Sequence, residues 1–148
     1  MKVFLSTHLL FSTLAIACTT NDATKKPPEN TLVEASIVYN KRAIFLATDH
    51  EFGISLDTQH NLTPSISHQP DVKNADVTLR LSRELQTDGT TMVVLHVHNN
   101  IKQRLEMDAT ANSLSNKHLS LSPGFSACRL WPHSTLQSVD IRNMRIMK

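Results

Sequence analysis

The chain has 148 residues with 15 basic and 13 acidic side chains, a formal net charge of +2 that gives no basis for a nucleic-acid partner. This length suits one domain with a hydrophobic core that needs no disulfide bonds. No apolar stretch reaches the roughly 20 residues of a membrane-spanning helix, so we expect none.

The first 18 residues have the layout of an exported leader. Lys2 supplies a short positive region, and a mostly apolar stretch follows from Val3 to Ala17. The segment Leu14-Ala15-Ile16-Ala17-Cys18 resembles the lipobox of bacterial lipoproteins, where a small residue precedes an acylated cysteine. The resemblance implies a signal peptide at residues 1–17 and a lipid on Cys18, which becomes the first mature residue. An ordinary secretory signal cut after Ala17 is the alternative.

The lipobox resemblance also implies a location. Thr19 stands at the second mature position, where aspartate would indicate retention in the inner membrane. We therefore expect an outer-membrane lipoprotein that faces the periplasm and reaches the membrane through its N-terminal lipid. The ordinary signal would instead give a soluble secreted or periplasmic protein.

Residues 18–31 read as the lipidated cysteine and a disordered tether. Residues 19–31 hold no large apolar side chain and include Pro27-Pro28, a composition typical of flexible or semi-extended linkers. Fully extended, these residues would span roughly 40 Å. We expect the folded domain to occupy residues 32–148.

The domain consists of short apolar or alternating runs separated by polar turns. The alternation has the two-residue period of half-buried strands, and no window shows a sustained helical period. The predicted strands are residues 31–39, 43–48, 51–56, 77–82, 90–99, 104–109, 118–122 and 139–147. About seven or eight strands of this kind predict an all-β, antiparallel immunoglobulin-like sandwich.

Two irregularities interrupt this pattern. The apolar phase changes between Ile141 and Met144, which predicts a β-bulge near Asn143. Residues 57–75 contain two prolines and two histidines and are expected to form a long loop.

A second resemblance concerns the domain. Val97-His98-Asn99, the run Leu105 to Asp108 and Cys128-Arg129-Leu130-Trp131-Pro132 follow one another along the chain. This order is similar to that in small periplasmic immunoglobulin-like proteins of no assigned activity. The similarity supports the fold and implies no function.

Histidines supply the sharpest candidate chemistry. Because Val93, Leu95 and Val97 point to one face, His96 and His98 share the other and lie close enough to bind one metal ion. A third ligand could come from His118, His133 or Cys128. A solvated sheet face also tolerates histidine, and no established metal motif accompanies the pair.

Catalytic motifs are missing from the sequence. If Cys18 is acylated, Cys128 lacks an intramolecular partner. We then expect Cys128 to be a buried, inert thiol beside Trp131 rather than a nucleophile paired with His133. Gly53-Ile54-Ser55-Leu56-Asp57 lacks the second glycine of a nucleophile elbow. We therefore expect no enzyme.

The leading hypothesis from sequence is a non-enzymatic lipoprotein whose tethered periplasmic β-sandwich binds or assembles a protein partner of the cell envelope, with no cofactor. The partner would dock on an exposed strand edge or on the C-terminal third, where residues 100–148 hold 7 basic and 3 acidic side chains. The rival hypothesis is a periplasmic copper- or zinc-binding protein centred on His96 and His98.

Overall fold

The structure, a computed structural model, describes residues 35–58, 63–111, 116–131 and 136–147. The described part of the chain forms ten β-strands and one short 3-10 helix, Val72–Asn74. The strands are β1 (Ala35–Tyr39), β2 (Ala43–Ala47), β3 (Phe52–Asp57), β4 (Ser65–Gln69), β5 (Val77–Leu85), β6 (Thr91–Asn99), β7 (Arg104–Thr110), β8 (Lys117–Leu121), β9 (Ser126–Trp131) and β10 (Val139–Met147).

The strands form two five-stranded antiparallel sheets. The first sheet has the order β1-β2-β10-β7-β8, and the second has the order β4-β3-β5-β6-β9. The apolar face of each sheet is buried against the other, which is the arrangement of a sandwich. The predicted all-β antiparallel sandwich is therefore confirmed.

The number and order of the strands differ from the prediction. Seven or eight strands were expected, and ten are present because β4 and β9 were not predicted. β4 lies within the expected long loop, where Ile66 alone supplies a large buried apolar side chain, so its alternation is too weak to recognise. In immunoglobulin constant domains, strands A, B, E and D form one sheet and strands C, F and G form the other. The strand order here is different, because four consecutive strands, β3 to β6, share one sheet.

Alternating side chains of the central strands build the core. In β6, Val93, Leu95 and Val97 are at most 1% exposed, as their predicted common face requires. Trp131 of β9 lies opposite Val93 and is also buried. Truncating a fully buried leucine such as Leu95 to alanine typically costs about 2–5 kcal/mol.

One polar side chain, that of Asn99, is fully buried at the end of β6. Its Nδ2 donates to the backbone carbonyls of Gln103, Leu121 and Ser122 at 2.9, 3.2 and 3.3 Å. Its Oδ1 accepts from the amide of Ile101 at 3.1 Å. These bonds join the β6–β7 crossover to the end of β8, so Asn99 has a structural role.

The β-bulge predicted near Asn143 is confirmed. The register of β10 against β7 shifts between Arg142 and Arg145, and Asn143 has a φ of 54°. Asparagine adopts this left-handed conformation more readily than most residues. Its side chain donates to Asp108 at 2.8 Å and so fixes the bulge to the neighbouring strand.

In the described ranges, no helix has the length and hydropathy needed to cross a membrane. The predicted signal peptide, Cys18 and the tether lie outside the described residues.

Candidate functional site

The predicted pair His96 and His98 lies on the outer face of the second sheet. Both side chains are half-buried, while the intervening Val97 points into the core. In register, His96 stands between Arg80 of β5 and Cys128 of β9, and His98 stands between Thr78 and Ser126. The sheet therefore places each histidine between two side chains of the same face.

The ring of His96 contacts side chains on both neighbouring strands. Toward β5, Nε2 lies 3.1 Å from Glu84 Oε1 and 2.9 Å from Ser82 Oγ. Ser82 Oγ itself donates to Glu84 Oε1 at 3.1 Å. Toward β9, Nδ1 lies 3.4 Å from Cys128 Sγ. His96 thus joins a carboxylate to a sulfur atom across three strands.

The surroundings of His96 favour its neutral form. Burial lowers the pKa of His96, the positive charge of Arg80 lowers it further, and Glu84 acts in the opposite direction. An ionised carboxylate only accepts hydrogen bonds, so contact with Glu84 places the ring proton on Nε2. The lone pair of Nδ1 then faces Cys128.

His98 has a different partner from His96. Its Nδ1 lies 2.7 Å from Ser126 Oγ on β9. Over the described ranges, no group of three or more histidine, cysteine, aspartate or glutamate side chains is placed to hold a metal ion. The contacts of the two rings therefore give the copper or zinc hypothesis no additional support.

The three candidate third ligands have separate positions. His118 lies on β8 in the first sheet, where its Nδ1 contacts Asp108 Oδ1 at 2.9 Å, and the structure does not bring it to the histidine pair. His133 lies outside the described residues. Cys128 contacts His96, but on the opposite ring nitrogen from Glu84.

The sequence predicted a lone thiol at Cys128 on the condition that Cys18 carries a lipid, whereas in the structure Cys128 is disulfide-bonded. A disulfide sulfur is not a thiolate, so Cys128 in this state does not offer the ligand that zinc or copper prefers. The side chain is half-buried rather than part of the core.

Sequence reasoning missed Glu84 and Ser82. Both lie on β5 in the same alternating phase as Arg80, opposite to the buried Leu81. The Asp88-Gly89 turn signal precedes β6, and pairing β5 with β6 through this turn would have placed Arg80 opposite His96. Finding Glu84 and Ser82 requires the register of the β5–β6 hairpin, and the pattern of a single strand does not give that register.

The edge strand β1 is a second candidate site. Its five residues, Ala35 to Tyr39, carry no charge, and Ile37 and Tyr39 are 49% and 45% exposed. Their neighbour on β2, Phe45, is half-buried opposite Ile37. The edge strands β4 and β8 bury their large apolar side chains instead: Ile66, Leu119 and Leu121.

The described arginines of the C-terminal third are divided between the two sheets. On the outer face of the first sheet, Arg142 and Arg145 pair in register with Asp108 and Glu106. Arg129 instead donates to the backbone carbonyl of His118 across the two sheets at 3.3 Å. Of the two docking surfaces considered from sequence, the edge of β1 has the stronger structural basis.

No protein-family model matches the chain, and no curated protein or solved structure is significantly similar to it.

Proposed function

We propose that this protein is an outer-membrane lipoprotein of the bacterial envelope, anchored through Cys18 and carrying a non-enzymatic β-sandwich that binds a protein partner in the periplasm. The lipobox resemblance at Leu14–Cys18 and the polar segment after it support the anchor and the tether. The sandwich and its exposed edge support the binding role. The tether would let the domain reach partners away from the bilayer.

The edge of β1 is the single observation that carries the binding role. An edge strand presents a row of backbone amides and carbonyls that can pair with another chain. Proteins commonly protect such edges with charges, prolines or bulges, and β1 has neither charge nor proline. Its exposed Ile37 and Tyr39 add apolar area where a partner strand would lie.

The expected mode of binding is strand addition. An extended segment of the partner would pair with the backbone of β1, and alternate side chains would contact Ile37 and Tyr39 on the outer face. Backbone pairing would supply general affinity, and the apolar pair would select for a partner segment with apolar side chains in the same phase.

Site-specific photocrosslinking in intact cells tests this proposal. A photoreactive residue at position 37 should capture one discrete protein partner, whereas the same residue at exposed Ser120 on β8, the opposite edge of the first sheet, should not. Equal adduct patterns at the two positions would contradict docking at β1.

A charge at the edge gives an independent readout. Ile37→Lys should abolish capture by a photoreactive residue at position 39, because strand addition would bring the new ammonium into an apolar contact. Leu85→Lys, at another exposed apolar position on β5, is the matched control and should leave capture unchanged. Unchanged capture in Ile37→Lys would also contradict the proposal.

A further inference from the structure

We propose that Glu84, His96 and Cys128 form a thiol-activating site, at which Cys128 exchanges with disulfide-bearing small molecules or proteins. This site lies on the outer face of the second sheet, whereas β1 is an edge of the first sheet. The proposal does not depend on docking at β1.

The three side chains come from three adjacent strands of the second sheet. Glu84 belongs to β5, His96 to β6 and Cys128 to β9. The imidazole lies between the carboxylate and the sulfur, 3.1 Å from Glu84 Oε1 through Nε2 and 3.4 Å from Cys128 Sγ through Nδ1. A nucleophile, a base and an acid that orients the base form the general arrangement of an activated nucleophile.

The contacts on the two ring nitrogens suit this role. With the proton on Nε2, the lone pair of Nδ1 lies 3.4 Å from Cys128 Sγ and can accept its proton. Glu84 would stabilise the imidazolium that forms when Nδ1 takes a proton, and Ser82 holds Glu84 in place. The positive charge of Arg80, opposite His96 on β5, acts against this imidazolium.

Among the described residues, the other groups near Cys128 have partners of their own. His98, on the same face, contacts Ser126, and Arg129 donates to the backbone carbonyl of Cys128 at 3.0 Å. β9 is the last strand of its sheet, and Cys128 is only half-buried. Once the disulfide at Cys128 has been reduced, a reactant can therefore approach the sulfur from the outer face.

The reaction starts once a dithiol reductant has opened the disulfide at Cys128 and has itself become oxidised to a disulfide. The Cys128 thiol gives its proton to His96 Nδ1, and the thiolate attacks one sulfur of a disulfide RSSR. A sulfur–sulfur bond forms to Cys128, the original bond of RSSR breaks, and its electron pair leaves on RS⁻. The proton from His96 then converts RS⁻ to RSH, so the step is balanced.

The test measures the reaction of Cys128 with 5,5′-dithiobis(2-nitrobenzoate), an aromatic disulfide, as a function of pH. The full chain carries Cys18→Ala, so that Cys128 is the single cysteine, and is reduced before the assay. Variants are His96→Ala, the more conservative His96→Gln, and Glu84→Gln. His98→Ala is the matched control on the same strand and face.

We expect the rate at pH 6 to fall about tenfold in both His96 variants and the apparent pKa of the thiol to rise toward the roughly 8.5 of an ordinary cysteine. Glu84→Gln should give a smaller change in the same direction, and His98→Ala should match the parent protein. Folding of each variant is checked by urea denaturation. A folded His96→Gln variant with the parent's rate and pH profile would overturn the proposal, as would an equal loss in His98→Ala.

Discussion

Asn99 shows how one buried polar residue can determine a connection between strands. Its amide satisfies three carbonyls and one backbone amide that belong to the β6–β7 crossover and the end of β8. Leaving one such backbone group buried without a partner costs about 1–3 kcal/mol. Backbone groups of the protein, rather than water, complete the hydrogen bonding of Asn99, so its side chain can be fully buried.

Asn99→Ala is expected to lower the free energy of unfolding by about 3 kcal/mol, because several backbone groups lose their partner at once. The neighbouring Asn100→Ala removes one side-chain bond, to the carbonyl of Ala75, and should cost about 1 kcal/mol. Urea denaturation of both variants measures the difference. Equal losses would show that the buried amide does not hold the crossover.

His96 makes stability depend on pH. Burial and Arg80 lower the pKa of His96 in the folded protein below the 6.5 of the unfolded chain, so the folded state binds fewer protons. This contribution to stability is present above pH 6.5 and is lost as the pH falls through the folded pKa. His96→Gln should therefore lose less stability than the parent on acidification from pH 7.5 to about 5.5, as measured by urea denaturation. Parallel losses would contradict this account.

Asp108 also makes stability depend on pH, here through the ionisation of a carboxylate. Hydrogen bonds from Asn143 and His118 lower the pKa of Asp108 below its usual 3.8. Its stabilising effect is thus present above pH 3.8 and disappears as the pH falls through the folded pKa. At pH 7, Asp108→Asn should be less stable than the parent in thermal denaturation, and the difference in Tm should shrink below pH 3.8. A difference that stays constant with pH would point to packing rather than charge.

At the scale of strands, the close pairing of β3 with β4 depends on Gly53. A Cβ at this position would lie 2.6 Å from the carbonyl oxygen of Gln69 and 3.0 Å from Ala75 Cβ. Both neighbours belong to the segment that sequence reasoning assigned to a loop. The glycine therefore allows this segment to pack against β3 as an edge strand.

Gly53→Ala is expected to lower the free energy of unfolding by about 1–3 kcal/mol, because the methyl group forces β3 and β4 apart. Ser67→Ala, at an exposed position of β4, is the control and should stay within about 0.5 kcal/mol of the parent. Urea denaturation compares the two. If Gly53→Ala were as stable as the parent, the approach of β4 would not require glycine.

Sequence patterns predicted strands where the apolar alternation was long and failed where it was short. The alternation from Val93 to Val97 predicted β6, because a buried face repeats every two residues. The change of phase at Asn143 predicted the bulge for the same reason. β4 was missed because an edge strand with one buried apolar residue has too weak a period. The same alternation predicted that His96 and His98 share a face. Placing Glu84 beside His96 requires the register between β5 and β6, which the alternation within one strand does not give.

At the scale of the whole molecule, the sandwich separates two surfaces with different chemistry. The apolar edge of β1 belongs to the first sheet, and the Glu84–His96–Cys128 site lies on the outer face of the second. Sheet membership could not be deduced from the sequence, since it depends on which strands pair over long separations. For the same reason His118, a candidate to join the histidine pair, instead lies on the first sheet.

The intact mass of the protein purified from the cell envelope tests the central claim, the lipid anchor, most directly. A lipid thioether at Cys18 and a disulfide between the chain's two cysteines exclude each other, so the lipidated protein would differ from the structure at Cys128 and would also differ in mass from the disulfide-bonded chain. We expect a chain that begins at Cys18, carries the added mass of several acyl chains, and loses this modification in Cys18→Ala. An unmodified chain cleaved after Ala17, or the same chain two hydrogen atoms lighter, would contradict the lipid anchor.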